Sequence, residues 1–125
     1  MNDVDFADRF KASWDSPEPF YEELLSHPGW EWVRPIKGLI RELRVRGYDQ
    51  NFRAGQAMYL FMLSRSREHG LRLEQPRVII EPRDDGQMVV EYRSQQDQET
   101  VTLNQMAFCP ELQHILDRLL AQEID

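Results

Sequence analysis

The sequence predicts a single α+β domain over residues 1–125, with N-terminal helices, a three-stranded antiparallel β-meander and a C-terminal helix, the helices packed mainly on one sheet face. Three observations predict it. Apolar residues recur at helical spacing before Gly70 and again after Pro110. Between Pro76 and Pro110 they fall instead into short β-branched runs separated by turn residues. A chain of 125 residues that is 41% hydrophobic can bury a sufficient core without disulfide or metal.

Asp3 is placed to cap a short helix carrying Phe6, Phe10 and Trp14, the two phenylalanines one turn apart on one face. The segment Asp15 to Pro19 breaks it, and a second short helix, Phe20 to Ser26, offers Leu24 and Leu25 before the turn at His27, Pro28 and Gly29. Pro35 then opens a helix whose Ile36, Leu39, Ile40 and Leu43 follow the spacing of a core-facing stripe, with Gly47 as its end. A fourth helix is expected over Phe52 to His69, capped by Asp49 or Asn51 and closed by Gly70. Its centre, Ala57 to Leu63, is apolar on every side, as in a buried spine.

After Pro76 the period changes from 3.6 to 2. Arg77 to Glu81, Met88 to Tyr92 and Thr100 to Leu103 read as strands, divided by the turn Pro82 to Gly86 and the polar run Ser94 to Gln98. Pro110 begins the last helix, on which Leu112, Ile115, Leu116, Leu119 and Leu120 form one stripe.

The net charge of −7 disfavours nucleic acid and anionic membranes as partners. That average hides a segregation: residues 34–77 hold 10 basic and 4 acidic side chains, whereas residues 1–33 hold 2 and 8, and residues 78–125 hold 3 and 10. An acidic start without an apolar stretch, a longest apolar run of seven residues and a single cysteine lead to a cytoplasmic protein with no membrane segment as the expectation.

Helical geometry gathers Lys37, Arg41 and Arg44 on one arc beside the apolar stripe, with Arg34 near its start. Such an arc suits an acidic partner protein. The competing expectation is that the acidic first third of the same chain lies across it. Trp30 and Trp32 are the other candidates for partner binding, because tryptophan dominates interface hot spots; extended, the two would share a face, and helical, they would diverge.

No catalytic residue is assigned. Cys109 precedes Pro110 at a helix start, where a thiol can be activated, but no Ser, Thr or His close in sequence completes a constellation. Glu111 and His114 supply only half of a di-iron motif, and His27, His69 and His114 are widely separated, so neither metal nor other cofactor is expected. The function this pattern points to is a non-enzymatic binding module of adaptor, regulator or inhibitor type. The alternative is a winged-helix-like nucleic-acid binder using Arg53, Gln56, Ser64 and Arg67 on the Phe52 to His69 helix. The strand edge at Thr100 to Leu103 adds a second copy of the chain as a candidate partner.

Overall fold

The computed structural model describes residues 3–67 and 75–124. Its helices are α1 (Asp3–Ser13), α2 (Pro17–Leu25), α3 (Arg34–Val45) and α4 (Pro110–Leu120), with 3-10 turns at Glu31–Val33 and Tyr48–Gln50. The strands are β1 (Arg53–Ala57), β2 (Leu60–Ser64), β3 (Arg77–Pro82), β4 (Met88–Arg93) and β5 (Gln98–Leu103). They form one antiparallel sheet in the order β1-β2-β3-β4-β5. The architecture is α+β, with a five-stranded meander in place of the expected three strands.

The two added strands come from the segment expected to be a helix. Residues 53–64 are a β-hairpin in which Ala54 pairs with Leu63, Gln56 with Phe61 and Ala57 with Leu60. Met58 and Tyr59 make its two-residue turn, with Met58 at φ 56. The apolar run Ala57 to Leu63 had suggested a helix buried all round, yet its burial alternates from Phe61 to Leu63, because every second side chain faces the core. His69 and Gly70, the expected helix end, lie outside the described residues.

The termini of the other helices follow their local chemistry. A proline stands in the first turn of α2, α3 and α4, where its fixed φ fits and its missing N–H has no partner to lose. Pro17 and Pro19 therefore begin α2 rather than precede it. Gly47 terminates α3 with φ 89, a conformation that a Cβ would strain.

One face of the sheet carries the core. Cross-strand neighbours share a face, so the register aligns Ala54, Leu63, Val78 and Tyr92 in one row and Phe61, Ile80 and Val90 in the next. Those residues, with Met88, are buried against Trp14, Tyr21, Ile36, Leu39, Ile40 and Leu43 from α1 to α3 and against Leu112, Ile115, Leu116 and Leu119 from α4. Fully burying each such side chain contributes on the order of 1.5–3 kcal/mol. On the opposite face Met62, Ile79, Glu91 and Arg93 are half-buried or exposed, and Ser64, near the β1 end, is buried. The helices accordingly pack on a single face.

Directional bonds tie the helical layer to the hairpin. Trp14 Nε1 donates to the Phe52 carbonyl at 2.8 Å, and the Tyr21 hydroxyl donates to the Tyr59 carbonyl at 2.9 Å. Burial pushes the Tyr21 pKa well above the ordinary tyrosine range. Tyr21 thus stays a neutral donor that holds α2 over the β1–β2 turn.

Candidate partner-binding surface

The amphipathic stripe of α3 sends Ile36, Leu39, Ile40 and Leu43 into the core, which leaves its cations on the flanks. Two of these are engaged by the chain's own acidic segment. Lys37 Nζ lies 2.7 Å from Glu22 Oε1 of α2. Arg44 lies 3.3 Å from the Asp15 carboxylate, donates to the Trp14 carbonyl at 3.4 Å, and stands 3.5 Å from Asp49. Asp49 is only 5% exposed, so Arg44 also compensates a buried carboxylate. The Lys37 ammonium beside it holds the Glu22 carboxyl below its ordinary range.

Arg34 and Arg41 differ: both are exposed, and neither has an ion pair among the described residues. Lys37, Arg41 and Arg44 are thus not three equivalent cations facing solvent. Neutralisation by the acidic first third of the chain, the competing expectation, describes Lys37 and Arg44.

The tryptophans are brought together with a residue that sequence proximity could not supply. Trp30 and Trp32 stack with ring centroids 5.6 Å apart and planes at 28°. Tyr59, from the β1–β2 turn, sits 6.2 Å from Trp30 and meets Trp32 edge-on at 5.7 Å. All three rings are half-buried. Their turn neighbour Met58 is 76% exposed. Trp30 lies just before the 3-10 turn Glu31–Val33, at φ −109 and ψ 8, and this break from helical backbone lets the two rings stack where a continuous α-helix would have spread them.

Other aromatics of the first third serve the core: Phe6, Phe10, Trp14 and Tyr21 are buried. Tyr59 was missed as a site residue because its expected helix placed it on a spine. A tyrosine in a two-residue turn is visible only once the strands are paired.

The remaining chemical candidates take structural positions. Cys109 is half-buried at the start of α4 and packs against the core, its carbonyl accepting from Gln113 N–H at 3.0 Å. Arg65 donates to the Asn51 carbonyl at 2.9 Å, and Arg67 lies over the Phe6 ring at 5.2 Å. Arg53, Gln56 and Ser64 stand on β1 and β2, so the helical arc of the winged-helix reading does not exist. Among the described residues no group of three or more His, Cys, Asp or Glu side chains is placed to hold a metal ion. Nor is any described helix long and apolar enough to cross a membrane.

Among the described residues, four helices packed against a five-stranded antiparallel meander, with an aromatic cluster at one hairpin tip, define the molecule's class in structural terms. Compared with protein-family models, curated proteins and solved structures, the chain matches none of them.

Proposed function

We propose that this chain is a non-enzymatic protein-binding module whose contact surface is the aromatic cluster Trp30, Trp32 and Tyr59 together with Met58. Arg34 and Arg41 supply the cations left for an acidic rim on the partner. One observation carries the reading: three large rings are held in fixed mutual geometry while each remains half open to solvent. Tryptophan, tyrosine and methionine are enriched at interface centres, and a preorganised cluster loses little conformational freedom on binding. Because Lys37 and Arg44 already have acidic partners, the aromatic cluster supplies the affinity and Arg34 and Arg41 the charge preference.

The test is affinity capture from native extract with the wild-type chain, Trp30→Ala/Trp32→Ala, and Arg34→Glu/Arg41→Glu. A specific partner lost with the tryptophan pair and weakened by charge reversal supports the reading. Retention by both variants, with near-ultraviolet circular dichroism showing an intact core, would remove it.

A further inference from the structure

Met58 is set apart from the other described methionines by its backbone and by its exposure. It is the first of the two turn residues between β1 and β2, and of that pair it alone has positive φ, at 56, the pattern that hairpins ordinarily fill with glycine. A Cβ strains that conformation. The side chain is 76% exposed, so packing does not offset the strain. Strain of this kind collects at binding and switching positions, where the side chain is needed in spite of it. What methionine brings to the turn, and glycine would not, is a thioether that is apolar, polarisable and oxidisable.

The other described sulfurs are shielded. Met88 is fully buried in the core, and Met106 is 8% exposed. Met62 is half-buried on β2 between its cross-strand neighbours Gly55 and Ile79. Cys109 is half-buried against the core. Among the described residues Met58 is therefore the thioether that a small oxidant in solution reaches first. It is also the one where an added oxygen stays in water, whereas an oxygen on Met88 would place a polar group in the core. The fold can thus carry the oxidised form of Met58 without unfolding.

The oxygen would nonetheless fall on the surface assigned to partner binding. Tyr59, the second turn residue, joins Trp30 and Trp32 in the aromatic cluster. A partner can cover a thioether there at little cost, but it must strip water from a sulfoxide before covering it.

We propose that Met58 is a reversible oxidation site, at which a peroxide turns the aromatic surface from a binding to a non-binding form; the inference rests on the reading of that surface as the partner contact. A lone pair of the Met58 sulfur attacks one peroxide oxygen as the O–O bond breaks and an S–O bond forms. The proton of the transferred oxygen passes to the leaving group, which departs as water from hydrogen peroxide or as an alcohol from an organic hydroperoxide. Sulfur is oxidised and the peroxide reduced. The return step takes a dithiol reductant, whose thiols close to a disulfide while the oxygen leaves as water. Sulfoxide formation thereby loosens the contact, and reduction restores it.

The intact protein, treated with hydrogen peroxide and sampled at intervals, can be mapped by mass spectrometry of its peptides. One added oxygen should appear on Met58 at least about tenfold faster than on Met88 or Met106, with far-ultraviolet circular dichroism unchanged. Once the peroxide is removed, the Met58-oxidised chain should retain from native extract about tenfold less of the partner that the untreated chain retains, and a methionine sulfoxide reductase with a dithiol should restore the capture. Met58→Leu has no sulfur at this position, so its own level of capture should not move with the same treatment. Oxidation of Met58 no faster than that of Met88 overturns the proposal. So does a partner lost with Trp30→Ala/Trp32→Ala yet retained by the Met58-oxidised chain, an outcome that leaves the aromatic cluster as the contact. A partner retained by the tryptophan variant, but lost reversibly on oxidation of wild type and not of Met58→Leu, supports the oxidation site and removes the cluster as the contact.

Discussion

Lys37 Nζ and Glu22 Oε1 stand 2.7 Å apart and join α3 to α2 across the surface where a free basic arc was expected. The pair has a defined pH signature. Its bond to Lys37 lowers the Glu22 pKa from the ordinary 4.5, as the bond to Arg118 lowers that of Asp97 from 3.8. A lowered folded-state pKa means that the ionised form favours folding above the unfolded value, and that the contribution disappears as pH falls through the folded value. Side-chain carboxyl NMR titration should place both midpoints below those ordinary values, and Lys37→Met should raise that of Glu22 alone, leaving the smaller lowering due to Arg41. Both carboxylates are exposed, so the effect should shrink in high salt.

Arg44 and Arg41 should behave differently under the same substitution. Arg44→Met leaves buried Asp49 without its cation and should cost about 1–2 kcal/mol in urea unfolding, less than a fully buried pair because Arg44 is part-exposed. Asp49→Asn in that background should recover part of the loss. Arg41→Met should stay within about 0.5 kcal/mol of wild type.

Trp14 is fully buried, and its indole N–H satisfies the Phe52 carbonyl. Trp14→Phe removes the donor and leaves a small cavity beside Phe61, against which the indole packs edge-on at 5.4 Å. The expected cost is about 2–4 kcal/mol, measured by denaturant unfolding.

Met58 holds φ 56 in a two-residue hairpin turn, and it is the single non-glycine residue with positive φ among those described. Left-handed backbone costs an ordinary residue roughly 1–2 kcal/mol, and the Met58 side chain is too exposed to compensate. Met58→Gly should therefore stabilise the fold by about 0.5–1 kcal/mol, allowing for the added chain entropy. An unchanged or lower unfolding midpoint would show that the turn carries no such strain.

The same turn explains what could not be read in advance. A hairpin advertises itself through Asn-Gly or Asp-Gly, and Met58-Tyr59 offers neither. Its strands contain alanine, glutamine, methionine and leucine, which favour helices on propensity. One contrary signal was present: Gly55 would cost about 1 kcal/mol inside a helix. By contrast, Val78, Ile79 and Ile80, divided from Val89 and Val90 by Asp85-Gly86, declared strands and turn together.

The candidate site divides along the same line. Trp30, Trp32 and Arg34 were legible as residues apt for binding, since their chemistry is local. That Tyr59 completes the cluster, and that Glu22 and Asp15 occupy Lys37 and Arg44, depends on pairs 15 to 29 positions apart in the chain.

By itself the sequence determined α3, α4 and the strands from Arg77 to Leu103, because in each the apolar period, the proline or glycine boundary and the residue propensities agree. Only the tertiary structure decided that residues 53–64 pair as strands and that Lys37 and Arg44 are ion-paired within the chain. In each of these the local preference was weak or divided, and burial against a distant partner settled the outcome.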